Sequence, residues 1–208
     1  MLSREVFVVG ATRTAIGGFG GSLKDVPLSS LATTVVRAAL ERAGTAPEHV
    51  DHVVMGNVVP TEPRDAYLSR VAAMEAGIPK ETPAFNVNRL CGSALQAIVS
   101  AAQSIILGDA DLAIGAGAES MSRGAYLLPS ARWGARMGNA EVVDYMVSIL
   151  HDPFLGVHMG ITAENVDQVL ATGVKAVAVS AAVLGAENAE AAARALKVKL
   201  NASAGKPF

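Results

Sequence analysis

Cys91 is the single cysteine of the chain. It stands between a short run expected to be a strand and a long apolar run expected to be a helix. A thiol at a helix start meets free backbone N–H groups and the positive end of the helix dipole. That setting favours the thiolate, and with it nucleophilic attack. Gly92 beside it leaves room for a substrate to approach. The competing reading makes Cys91 a small buried hydrophobe. Without a base placed next to it, the residue types alone leave both readings open. His158 lies in Gly156-Val157-His158-Met159-Gly160, a loop context in which an imidazole can face a ligand. His49 and His52 flank a strand start and read as surface residues. His151 and His158 have no metal-ligand spacing with any partner, so no metal is expected. Two glycine-rich stretches, residues 17–21 and Gly115-Ala-Gly117, invite a phosphate-binding reading. Neither fits G-x-G-x-x-G opening a helix after a strand, and backbone turns are the better reading.

The elements that must position these residues follow from periodicity. Val6-Phe7-Val8-Val9 is a short apolar run ended by Gly10, the pattern of a strand buried on both faces. Ser29 or Ser30 is expected to cap a helix to about Arg42. Leu31, Val35, Ala38 and Ala39 would share one face of it, and Gly44 would stop it. Residues 50–59 read as a second strand, 65–76 as a second helix stopped by Gly77 and Pro79, and 84–87 as a short strand. From Gly92 or Ser93 to Leu107 the pattern is helical and apolar nearly all round, which predicts a buried helix. Residues 112–118 follow as another buried strand. Such alternation is that of a doubly wound α/β sheet. At Glu119 the texture changes to an irregular segment with Met, Arg, Gly and Trp133, running to about Gly138. It reads as an excursion from the sheet, where binding residues often lie. Beyond it, residues 162–170 read as a helix, 174–179 as a strand, 187–200 as an Ala-rich helix and 201–208 as a polar tail.

The composition narrows the class. The 208 residues are 51% hydrophobic and 17% charged, with a net charge of -2 and a mean hydropathy of +0.36. Disorder is excluded by that apolar content. A nucleic-acid partner is not expected, because 17 Lys and Arg balance 19 Asp and Glu without a basic block. One cysteine forms no internal disulfide and suits a reducing compartment. The N-terminus carries an early Glu and lacks the pattern of a signal peptide, and no uninterrupted apolar stretch is read as a membrane span. The expectation is a cytoplasmic α/β protein with no membrane partner.

Several motifs go further. Arg13-Thr14 with Ile16-Gly17 and Phe19-Gly20-Gly21 come first, then residues 51–56. Asn88-Arg89-Leu90-Cys91-Gly92-Ser93 follows, then Gly115-Ala-Gly-Ala-Glu119-Ser120-Met121-Ser122 and His158-Met159-Gly160-Ile161-Thr162-Ala163-Glu164. In this order, over residues 1–166, the chain resembles the N-terminal part of the thiolases, the acetyl-CoA acetyltransferase family. The resemblance implies an α/β fold: the first half of a thiolase-like fold over 1–118 and part of a loop domain that binds coenzyme A over 119–166. It implies that Cys91 is the nucleophile that becomes acylated, splitting one hard acyl transfer into two easier steps. A second acyl-CoA would then attack the thioester; the reverse reaction is thiolysis of a 3-ketoacyl-CoA, as in fatty acid metabolism. Leu150, His158 and Met159 match family positions near the pantetheine arm, where apolar side chains and one hydrogen bond are needed. Coenzyme A and acyl-CoA are the implied partners, as substrates rather than cofactors, with a homo-oligomer as a further option.

The chain departs from the family pattern as well. A full thiolase is nearly twice this long. The family's second cysteine, its G-H-P histidine and its N-E-A-F asparagine do not occur in these 208 residues. Activity of the isolated chain is therefore expected to be defective, and the alternatives are a non-catalytic truncated or chimeric product or a phosphate-binding module built on the C-terminal tail. Residues 167–208 resemble the C-terminal end of thiamine-phosphate synthase, a (β/α)8 barrel. That resemblance implies a foreign βα tail, with Val179 and Ser180 at a phosphate site built from backbone N–H groups. The tail is expected to pack poorly on the preceding body.

Overall fold

Leu28–Ala43 forms the first helix (α1) of a computed structural model that describes residues 4–154 and 156–164, with 188, 190, 191, 194, 195, 197 and 198. Its buried stripe is Leu28, Ala32, Val36 and Leu40, spaced four apart, with Ser29 and Thr33 beside it. This corrects the expected face: Leu31, Val35, Ala38 and Ala39 are only half-buried. The reason is a second neighbour along that flank. The Thr12 hydroxyl donates to the Val35 carbonyl at 3.0 Å and Arg42 donates to the Ala11 carbonyl at 2.8 Å. The expected serine cap is also corrected. Pro27 is the N-cap residue, no side chain caps the helix, and Ser29 lies inside the first turn. Gly44 closes it as expected, at φ +59°, in the left-handed region that glycine enters freely.

The expected first strand is absent among the described residues. Residues 4–10 join no ladder, and Phe7 and Val8 are 73% and 81% exposed. A β-rich run becomes a strand only where a neighbour offers its backbone. Here the segment is held by its ends, with Arg4 on Asp111 at 2.7 Å and residues 11 and 12 on α1.

His52–Gly56 (β1) is the central strand, and Val53, Val54 and Met55 are fully buried. It is shorter than residues 50–59: the Asn57 N–H still donates to the Val87 carbonyl, but the Val58 and Val59 N–H groups turn to a side chain instead of a strand. The second helix begins as a 3-10 turn at Pro63–Tyr67 and continues as Leu68–Glu75 (α2). Ala84–Val87 (β2) and Ser93–Leu107 (α3) match the sequence reading, and Ala113–Gly117 (β3) lies within the predicted run. The three strands are parallel in the order β2-β1-β3, with Val54 opposite Phe85 on one side and Gly115 on the other. Side-chain alternation divides the core. Val53 and Met55 pack with α1 and α2 on one face, while Val54 packs with Ala97 and Ala101 of α3 on the other. Helices on both faces of a parallel sheet are the doubly wound arrangement that the alternation predicts.

Burial of α3 all round is corrected. Ser93, Ala97 and Ala101 are buried, whereas Leu95 is 67% exposed and Ile98 and Val99 face outward. The buried side chains of α3 are thus small ones, while Leu95, Ile98 and Val99 remain exposed. Residues Leu90–Leu107 have the length and mean hydropathy (1.6) of a span, although Gly92, Ser93, Gln96, Ser100, Gln103 and Ser104 interrupt the apolar run. Packing on β1 and β3 makes α3 the cover of a sheet face. The β3 strand, expected to be buried, is half-buried at the sheet edge.

After β3 the chain leaves the sheet. Tyr126–Leu127 (β4) pairs antiparallel with Val143–Asp144 (β5), and Trp133 and Met137 between them are exposed. The short helix Tyr145–Ile149 (α4) follows. The chain divides into two compact units, Met1–Tyr145 and a second beginning at Met146. In the second, Met159–Glu164 (α5) starts three residues before the expected helix. Residues 190, 191, 194, 195, 197 and 198, within the predicted last helix, are helical. The predicted strand 174–179, with Val179 and Ser180, lies outside the described residues, and so does the join at 166–167.

Candidate active site at the turn between β2 and α3

Strands β1, β2 and β3 run parallel, so Gly56, Val87 and Gly117 end on one edge of the sheet. In parallel α/β sheets that edge is where ligands bind. The loops leaving it carry Asn57, Asn88 to Cys91, and Glu119.

Four residues, Asn88 to Cys91, connect β2 to Gly92, the N-cap position of α3. The turn is held by its own side chains. Asn88 Oδ1 accepts the Leu90 N–H at 2.9 Å. Ser93 Oγ accepts the Arg89 N–H at 2.9 Å and donates to the Leu90 carbonyl at 2.6 Å. Arg89 donates onward to Gln96 Oε1 at 2.7 Å. Leu90 is thereby fixed at φ +47°, a left-handed conformation that costs a branched L residue about 1–2 kcal/mol. Backbone strain of this kind is kept only where the surroundings over-determine it. Its effect is to present Cys91 outward, and the thiol is exposed and free. Exposure removes the reading of Cys91 as a buried hydrophobe. What remains is an accessible sulfur one residue before the N-cap of a 15-residue helix.

Glycines on the sheet bring that helix close. A Cβ on Gly56 would lie 2.4 Å from the Ser93 carbonyl carbon, one on Gly115 2.6 Å from Ile98 Cα, and one on Gly117 2.6 Å from Ala94 Cβ. Any side chain at these positions would lift α3 off the strands. The residues of Gly115-Ala-Gly117 thus serve helix packing rather than phosphate binding. Residues 17–21 form successive turns, with the Gly21 N–H on the Gly18 carbonyl and the Gly20 N–H on Ser122 Oγ at 2.9 Å.

Glu119 ties the strand ends together. Its Oε1 accepts from Asn57 Nδ2 at 3.1 Å and from the Val59 N–H at 3.0 Å, and its Oε2 accepts from the Val58 N–H at 2.8 Å. Burial pushes this carboxyl above its ordinary value, against the backbone donors, with the nearby Asp65 pushing the same way. Asp65 is itself fully buried and accepts from the Thr61 N–H, the Thr61 hydroxyl and the Glu62 N–H. Sequence reasoning singled out neither carboxylate, nor Asn88. The available signal was a Glu directly after a Gly-Ala-Gly-Ala strand end, within a motif quoted for other reasons.

Leu150, His158 and Met159 belong to the second unit, and the structure brings them together. The Met159 N–H donates to the Leu150 carbonyl at 2.8 Å, and His151 and His158 form a bridge across the same reversal, their rings edge to face at 5.2 Å. His158 Nδ1 accepts the Gly160 N–H at 3.0 Å, which places the ring proton on Nε2 as a donor. Among the described residues no three His, Cys, Asp or Glu side chains converge to hold a metal ion.

Comparison with known proteins bears on this arrangement. The family model described as "Thiolase, N-terminal domain" matches residues 6–201. Beta-ketothiolase BktB of Cupriavidus necator is 64% identical over 165 residues, 79% of this chain and 42% of that protein. An acetyl-CoA acetyltransferase of Chromobacterium violaceum is 49% identical over 163 residues, 78% of this chain and 41% of that protein. The crystal structure of human mitochondrial 3-ketoacyl-CoA thiolase in complex with CoA superposes with a TM-score of 0.74 at 40% identity, over 80% of this chain and 42% of that one. The Bacillus anthracis acetyl-CoA acetyltransferase gives 0.73 at 39%, over 78% and 41%. The chain thus spans about two-fifths of the length of the relatives it matches. A parallel sheet with helices on both faces, a cysteine raised on a strained strand-to-helix turn and a family match over nearly the whole sequence together place this chain in the thiolase family, as its N-terminal domain.

Proposed function

We propose that Cys91 accepts an acyl group from an acyl-CoA thioester, the first half of thiolase-type acyl transfer. The observation that carries this reading is the exposed Cys91 thiol, presented by left-handed Leu90 just before the N-terminus of α3. The sulfur attacks the thioester carbonyl carbon. A bond from Cys91 Sγ to the acyl carbon forms, the bond from that carbon to the CoA sulfur breaks, and the thiol proton ends on CoA. Negative charge developing near Cys91 lies close to the first-turn N–H groups of α3, which favour it. The substrate class is acetyl-CoA or a 3-ketoacyl-CoA, as the names of the relatives suggest. From the family resemblance we propose Leu150, His158 and Met159 as contacts for the pantetheine arm. The later carbon–carbon step requires an α-proton to be removed. No residue described here is assigned to that step.

Isotope exchange tests this half-reaction by itself. The chain is incubated with acetyl-CoA and labelled CoA, and transfer of label into acetyl-CoA is followed. Reversible acylation of Cys91 predicts exchange that Cys91→Ala abolishes. Exchange no faster than in the Cys91→Ala variant would favour a non-catalytic role.

A further inference from the structure

A line of hydrogen bonds runs from Glu119 to the Cys91 turn through two rigid planar groups. The first is the peptide between Val58 and Val59. Its N–H donates to Glu119 Oε1 at 3.0 Å, and its carbonyl accepts from Asn88 Nδ2 at 3.4 Å. The second is the Asn88 amide, whose Oδ1 accepts the N–H of Leu90 at 2.9 Å. Leu90 is the strained residue directly before Cys91. We propose that Glu119 is a positioning residue for Cys91, acting through the 58–59 peptide and the Asn88 side chain.

Four points support this. Asn57 is still tied to the sheet by its N–H on the Val87 carbonyl, but residues 58 and 59 lie beyond the end of β1, and their orientation is set by the carboxylate that collects their N–H groups. A peptide and an amide are flat, so fixing one edge of each fixes the other edge. Leu90 also needs restraint from both sides to stay left-handed. Ser93 holds its carbonyl and Asn88 holds its N–H, and only the second restraint leads back to another loop. Glu119 is an exposed residue whose carboxyl group is nonetheless partly desolvated against three donors, and holding two loops in register is a use for that cost.

The importance of this inference rests on the reading of Cys91 as the acyl acceptor, but its test does not. The rate of Cys91 carbamidomethylation by iodoacetamide is measured on the 208-residue chain at fixed pH. Asn88→Asp keeps an oxygen for the Leu90 N–H and has no donor for the Val58 carbonyl, so it cuts the relay in the middle. Glu119→Ala is expected to slow alkylation by at least about threefold, the scale of one net hydrogen bond, in the Asn88 background. In the Asn88→Asp background it is expected to add nothing. Such non-additivity is the mark of residues acting through one another. Glu119→Gln, which retains one acceptor oxygen, is expected to recover part of the rate. If Glu119→Ala does not fold, Glu119→Gln is compared in the two backgrounds by the same criterion. Equal slowing in both backgrounds, or an unchanged rate in a folded Glu119 variant, overturns the proposal. Loss of CoA exchange with this coupling intact would remove the acyl-transfer reading alone. Intact exchange without coupling would remove the positioning role alone.

Discussion

Gly56 and Ser93 meet backbone to backbone: a Cβ at position 56 would stand 2.4 Å from the Ser93 carbonyl carbon and 2.7 Å from its oxygen. This contact seats the first turn of α3 directly on the end of β1. Because the obstacle is backbone, no side-chain rotation relieves it. Gly56→Ala is therefore expected to destabilise the fold by about 1–3 kcal/mol, the range for overpacking a tight core. Urea denaturation measures it. A midpoint equal to that of the parent chain would show that α3 is not seated as described.

Glu119 links stability to pH with a definite sign. Burial holds its carboxyl above the ordinary value, so the folded chain keeps the proton to higher pH than the unfolded chain. Its contribution is fully present below the ordinary carboxylate range and is lost as pH rises through the higher folded value. The stability of the parent chain relative to Glu119→Gln should fall as pH is raised from about 4 to about 7. Urea midpoints of both proteins across that range check it, and a difference that grows with pH would contradict it.

Asp51 carries the opposite sign. Its Oδ2 accepts the N–H groups of Leu112 at 3.0 Å and Asp111 at 2.8 Å, just before β3, and these hold the carboxyl below its ordinary value. This contribution is present above the unfolded value and is lost as pH falls through the lower folded one. Asp51→Asn is expected to destabilise the chain slightly near neutrality, since the group is largely exposed. The cost should fade on acidification. A cost that persists unchanged in acid, followed by thermal melts of both proteins, would show that the charge does not matter there.

The sequence was most legible where boundaries are chemical. Pro83 and Asn88 flank β2, and Gly92 and Gly108 bracket α3; both elements match the sequence reading. It was least legible where an element depends on what lies beside it. Residues 6–9 have the composition of a strand and no ladder to join among the described residues, and the apolar positions of α3 do not reveal that Ser93, Ala97 and Ala101 are its buried side chains while Leu95, Ile98 and Val99 are exposed. The true buried row of α1 differs from the expected one because residues 11 and 12 cover its other flank, a tertiary fact that periodicity does not contain. Cys91 was found as a candidate, but its exposure depends on a left-handed Leu90, a conformation that leucine does not advertise. Glu119, legible only as part of a motif, was not read as a site residue because its partners include backbone amides, which leave no trace in residue types.

The central claim is that Cys91 forms a thioester with an acyl group taken from coenzyme A. Its most direct test is mass spectrometry of the intact chain after incubation with acetyl-CoA, followed by peptide mapping. The account predicts the added mass of one acetyl group, located on the Cys91 peptide and absent from the Cys91→Ala variant. An unmodified chain, or acetylation that persists in Cys91→Ala, would contradict it.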